Sequence, residues 1–273
     1  MRAPRAALAA AWCLATAAAC CATIAACSST RTATGPLANK QVGVGLELQR
    51  WFVPIDPEAR RDGLAKAVDE GLATAVDTRL RSSGFSVYRV RMEKIPAFAA
   101  ALGGSPQVQR ELLGNVTSWS EVEWSRVEDG ATVIVSGKPA RTGDTIYRLA
   151  LRGWSFPTVD SARARVELRI CRDSSTGTRA VLDATAGTTR LEDVGDGRET
   201  VEIAPDEALV VLETPVLASR SSRGAGAEMQ GPPTVAALLF AENRIKTKAS
   251  VLVVTAGFED MLPVPAAKQP PAR

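Results

Sequence analysis

Residues 163–172 read RARVELRICR, and this alternation decides the fold. Ala164, Val166, Leu168 and Ile170 take every second place, with Arg163, Arg165, Glu167, Arg169 and Cys171 between them. A period of two puts the first set on one face of a strand and the second on the other. One face is then dry and the other wet, as in an antiparallel sheet that shows one side to water. The arginine-bearing face is either simply solvated or a docking face for an acidic partner or a glycan. Cys171 falls on that polar face, which leaves room for an exposed, reactive thiol, although no neighbour in sequence is arranged to lower its pKa.

The same period runs through most of the chain from Trp119 onward. It predicts strands near 119–128, 131–137, 144–153, 164–171, 179–185, 199–204 and 207–214, with Gly- or Asp-bearing turns between them. Residues 191–197 (LEDVGDG) read as an acidic turn; a hard cation is conceivable there, but the spacing is not the alternating-oxygen pattern of a calcium loop. Residues 218–233 (ASRSSRGAGAEMQGPP) form a low-complexity loop, followed by a short helix at 234–241 and a strong strand at 249–255 (ASVLVVT). Together these make a β-rich domain over 118–262, with a Pro/Ala-rich disordered tail at 263–273.

Before residue 118 the pattern differs. Val44, Leu46 and Leu48, with Val42, alternate with smaller or polar residues and read as a strand over 42–48. Gly43-Val44-Gly45 lacks the third glycine and the helix start of a dinucleotide fingerprint. Asp56-Pro57-Glu58 is a helix start, with an N-cap, a proline at the first helical position and an acid in the first turn. Leu64, Val68, Leu72, Val76 and Leu80 recur at steps of four, which predicts one long helix over 57–83 ending at Gly84. A strand over 85–90 and a short helix around 95–102 complete an αβ module at 42–117. The expected fold class is α+β: a small strand, long helix, strand module followed by a mostly antiparallel β-rich domain.

Composition excludes more than it proposes. The chain has 273 residues and no histidine, which removes Ser-His-Asp and Cys-His catalysis and every His-bearing zinc site. Neither Ser-x-x-Lys nor a phosphate-cradling Gly-x-x-x-x-Gly-Lys-Ser/Thr occurs. Basic and acidic residues number 33 and 30, too balanced for a nucleic-acid partner. Of the 5 cysteines, Cys13, Cys20, Cys21 and Cys27 lie in or at the end of an apolar leader; Cys171 alone lies in the globular part, so stability there must come from a core. No enzyme activity and no cofactor are expected.

The leader carries an address. Arg2 and Arg5 precede an uncharged run to Ala26, which closes on Ile24-Ala25-Ala26-Cys27-Ser28-Ser29. An aliphatic residue, two small residues and a cysteine resemble the lipobox of bacterial lipoproteins. That resemblance implies a signal peptide over 1–26, lipidation of Cys27, and a tether over 27–41. Ser28, where Asp would favour inner-membrane retention in enteric bacteria, implies the outer membrane, facing the periplasm. An uncleaved transmembrane anchor and a plain secretory signal are the competing readings.

In the C-terminal half, residues 202–212 (EIAPDEALVVL), Gly231-Pro232-Pro233 with Leu238-Leu239-Phe240, and residues 250–255 (SVLVVT) resemble the secretin domain of outer-membrane channels. Thr255 is followed by Ala256 where that family usually has proline. The resemblance implies a reduced, non-channel relative. The expected function is that of a non-enzymatic, lipid-anchored envelope protein that assembles with other envelope proteins, with oligomerisation open. A periplasmic ligand- or peptidoglycan-binding module and a carboxylate-dependent envelope enzyme are the alternatives. Cys27→Ala is expected to abolish acyl-chain labelling, because only Cys27 has isoleucine at minus three; labelling lost instead with Cys20→Ala would move the site.

Overall fold

The computed structural model describes residues 44–54, 56–104, 106–159, 161–173, 191–214, 231–240 and 248–258. The signal peptide, Cys27, the tether, Val42, the strand expected at 179–185, most of the 218–233 loop and the tail lie outside the described residues. Twelve strands are described: β1 (Gly45–Pro54), β2 (Ala73–Val76), β3 (Phe85–Arg91), β4 (Gln107–Gly114), β5 (Val116–Val127), β6 (Thr132–Val135), β7 (Lys138–Arg141), β8 (Thr145–Pro157), β9 (Ala162–Asp173), β10 (Leu191–Ile203), β11 (Glu207–Glu213) and β12 (Lys248–Gly257). Helices are few: α1 (Pro57–Asp69), α2 (Ile95–Ala101) and α3 (Val235–Phe240), with 3₁₀ turns at Arg79–Ser83 and Met92–Lys94. The structure is mostly antiparallel β-sheet with a few helices.

A six-stranded sheet has the order β2-β3-β11-β12-β1-β4, a four-stranded sheet the order β10-β9-β8-β5, and β6-β7 form a ribbon. Every pair within these sheets is antiparallel. The large sheet is covered on both faces. One face, with Leu46, Leu48, Phe85, Val87, Leu209, Val211, Leu252 and Val254, packs with α3 and with Leu149, Leu151, Val166, Leu168 and Ile170 of the small sheet. The opposite face, with Trp51, Val53, Val90, Val210, Val251 and Val253, packs under Leu64 and Ala67 of α1 and Ile95, Phe98 and Ala99 of α2. The layers are therefore helices, large sheet, small sheet.

The boundary expected at 117/118 does not separate the sheets. β11 and β12, from the C-terminal part, lie between β3 and β1, and β1 pairs with β12 along its whole length, from Gly45↔Gly257 to Pro54↔Lys248. Residues 107–114 are a strand on the edge of the large sheet. Residues 191–197, expected as a turn, belong to β10, whose extra length is absorbed in a bulge between Asp193 and Arg198.

The long helix expected over 57–83 is corrected to three elements. The Asp56 carboxylate accepts from the Glu58 and Ala59 amides at 3.0 and 3.3 Å, so α1 starts as its sequence predicts. It stops at Gly71, which takes φ +65°, while Leu72 N–H donates to the Ala67 carbonyl and Gly71 N–H to that of Val68. These two bonds close the helix end in a Schellman arrangement that only a left-handed residue permits at low cost. The chain then runs as β2 and a 3₁₀ turn, so the stripe is split: Leu64 enters the core under the helices, Leu80 the core between the sheets, and Val68 stays 39% exposed. Gly63 lets α1 lie against the end of α2, since a Cβ there would stand 1.9 Å from the Ala101 carbonyl oxygen. Leu64→Ala is expected to cost about 2–5 kcal/mol in chemical denaturation, and Val68→Ala less than about 0.5; equal losses would restore the single stripe.

Candidate interaction surfaces

The outward face of the small sheet is where the alternation of residues 163–172 leads. Arg165, Glu167, Arg169 and Cys171 on β9 stand opposite Trp154, Arg152, Ala150 and Arg148 on β8, and on the other side opposite Glu202, Thr200, Arg198 and Asp193 on β10. Directly opposed side chains share a face and interact. Arg165 pairs with Glu202 at 3.0 Å, Arg152 with Glu167 at 2.7 Å, Arg198 with Asp193 at 2.8 Å, Arg169 with Asp193, and Arg148 with Glu121 and, at 3.9 Å, Asp173. Arg126 closes the row on Asp144, whose carboxyl its hydrogen bonds hold below the ordinary range.

Aromatic rings sit among these pairs. The Trp119 ring lies under the Arg152 guanidinium at 4.6 Å and the Arg169 guanidinium at 5.6 Å, and Trp154 under Arg165 at 5.9 Å. Such contacts orient both groups. Trp124, opposite Arg148 on β5, is 58% exposed. Sequence alternation does not pick out these tryptophans: Trp119 and Trp124, five residues apart, share the outward face only because of the bulge between Glu121 and Glu123.

Cys171 is corrected by this arrangement. Its thiol is buried, although it lies on the polar face, because the paired side chains of Arg148, Arg169, Asp193 and Glu121 close over it. The Sγ donates to the Arg148 carbonyl at 3.9 Å. Burial pushes the thiol pKa up, outweighing the nearby Arg169 and Arg148 that would lower it.

The sheet edges form the second surface. β4 carries Arg110 and Glu111, and β10 a bulge flanked by charge. At the β5 bulge between Glu121 and Glu123, Arg50 donates to the Val122 carbonyl and to Glu123 at 2.6 Å. Charges and bulges of this kind discourage strand addition. Among the described residues the fourth edge of the two larger sheets is β2, Ala73-Thr74-Ala75-Val76, with no charge and with Thr74 and Ala75 exposed. Beside it α1 leaves a cavity of about 400 Å³, lined by Arg61, Leu64, Val68, Ala75, Arg81 and Tyr88 among others. The buried Arg60 guanidinium anchors α1 at this end through Glu213 of β11, at 3.2 Å.

Of the segments that carried the expected secretin likeness, β11 and β12 are neighbours in the large sheet and α3 packs on both; nothing in the fold tests that likeness. Glu192 and Asp193, the acids of the suspected cation turn, are engaged by Arg172 and by Arg169 with Arg198. Among the described residues no group of three or more His, Cys, Asp or Glu could hold a metal ion, and no helix is long and apolar enough to cross a membrane. Cys27 lies outside the described residues. Comparison with protein-family models, with curated proteins and with solved structures finds no match to the chain.

Alkylation of Cys171 by iodoacetamide at mildly alkaline pH, followed on its own peptide by mass spectrometry, is expected to be more than about tenfold slower in the folded protein than in denaturant. Equal rates would place the thiol at the surface.

Proposed function

We propose that the chain is a non-enzymatic, lipid-anchored protein of the cell envelope that works by assembling with other envelope proteins. The anchor is the Cys27 reading of the leader, and the outer membrane, facing the periplasm, is its expected place. The observation that carries the assembly reading is the β2 edge. It is short and uncharged, and it lies beside a cavity whose walls are partly apolar (Leu64, Val68) and partly polar (Arg61, Arg81). A strand added at such an edge gains main-chain hydrogen bonds from β2, while its side chains find the adjoining cavity.

The other sheet edges supply the contrast. Among the described residues, the other edges of the two larger sheets, β4, β5 and β10, each carry charge or a bulge that discourages a partner, and β2 does not. The absence of histidine and of a nucleophile motif supports a role without catalysis.

Mild crosslinking of membranes, with identification of the conjugates by mass spectrometry, tests this. The wild-type chain is expected in conjugates with other envelope proteins. Thr74→Lys, which puts a charge on the β2 edge, is expected to lower their yield severalfold without changing the melting temperature. Recovery as an uncrosslinked monomer, together with a hydrolase activity lost on changing one carboxylate, would favour the enzyme instead.

A further inference from the structure

Trp119, Trp124 and Trp154 lie on one face of one sheet, at positions that a half-buried strand normally gives to polar side chains. Trp124 stands opposite Arg148 of β8, Trp119 lies under Arg152, and Trp154 follows two residues on. At the rise of a β-strand these steps are about 13 Å and about 7 Å, so the indoles form a row about 20 Å long parallel to β8.

The charges around the row decide what could lie on it. Arg126, Arg148, Arg152, Arg165, Arg169 and Arg198 are matched by Glu121, Asp144, Glu167, Asp173, Asp193 and Glu202. These six cations are paired with six anions, and with Arg163 as the further charge on the same beat of β9 the face carries too little net charge to hold an acidic polymer. An apolar partner is equally disfavoured, because it would strip water from those ions and return nothing. The complementary ligand is uncharged and rich in hydroxyls. Its C–H faces stack on indole, and its hydroxyls meet guanidinium donors and carboxylate acceptors already fixed by one another.

Trp119 and Trp154 are held by the arginines over them, whereas among the described residues no cation lies over Trp124. Its exposed ring is the one free to stack on a ligand. We infer that the outward face of the small sheet binds an extended, uncharged polysaccharide strand running along β8, with Trp124 as the anchor. This site is separate from the β2 edge and does not depend on the reading of the leader.

The test uses the full chain in detergent and three insoluble probes: chitin, cellulose and a β-1,3-glucan. Retention on at least one is expected, with elution by the matching soluble oligosaccharide and little change between about 0.05 and about 0.5 M salt. Trp124→Leu, which keeps an apolar side chain but no ring face, is expected to weaken retention by at least about tenfold, as loss of an anchoring aromatic does. Trp124→Phe is expected to retain most of it, and all forms to melt within about 2 °C of one another. Retention on none of the probes, retention abolished by salt, or retention unchanged in Trp124→Leu would each overturn the inference.

Discussion

The fold depends on β12. Between Ala249 and Gly257 it carries no charged side chain, and every residue there is buried. A strand of that composition must be covered on both faces and paired on both edges, since its amides and carbonyls also need partners away from water. β11 and β1 supply the edges, the small sheet with α3 covers one face, and the α1–α2 layer covers the other. Because β1 is the first described strand and β12 the last, the sheet closes only once residues 45–257 are all available. Its central contacts join residues about two hundred positions apart, an arrangement associated with slow folding.

The small sheet meets the opposite requirement. Its inner face is aliphatic, but nothing covers its outer face among the described residues, and the arginine–carboxylate rows do that work with their own side chains. Individual exposed ion pairs contribute little, typically below about 1 kcal/mol. Two of the pairs, Arg165–Glu202 and Arg152–Glu167, stand directly across neighbouring strands and the others reach diagonally or along one strand; all share one face, so a slip by one residue would turn them to the wrong side. The burial of Cys171 follows from the same rows: long charged side chains lie flat and cover what is beneath them.

Much of this was legible from residues alone, and the failures have specific causes. The start of α1 was visible in Asp56-Pro57-Glu58 and the doubly buried β12 in ASVLVVT, since capping and composition are local. Gly71 was equally visible as a stop, but the recurrence of Leu64, Val68, Leu72, Val76 and Leu80 was read over it. That spacing was coincidental, because its two ends serve different cores. The pairing of β1 with β12 left no trace, as partner choice between distant strands is decided by the assembled layers. The polar beat placed Cys171 on the correct face and the wrong side of the solvent boundary, because alternation says which way a side chain points and not what lies over it. The candidate surfaces are half legible: alternation exposes the arginines, but their partners on β10 and β5 depend on register, and the β5 bulge puts Trp119 and Trp124 on one face although they are five residues apart. Cys27 rests on the leader alone.

The registers of the large sheet relate the entry of β1 to the β2 edge. The chain enters β1 at Gly45, which pairs with Gly257 and lies toward the Glu207–Arg91 end of the sheet. Through β3, β11 and β12, Thr74 of β2 is level with Leu48 of β1 and Val76 with Arg50, so β2 lies beside the first half of β1. At the rise of a β-strand, Leu48 and Arg50 stand about 10 Å and about 17 Å along the strand direction from Gly45, while the four strand spacings between β1 and β2 amount to about 19 Å across the sheet. The β2 edge is therefore set apart from the entry of β1 mainly across the sheet: β1 neighbours the charged β4 edge, and β12, β11 and β3 stand between it and β2, so a strand added at β2 would meet neither β1 nor the residues that lead into it.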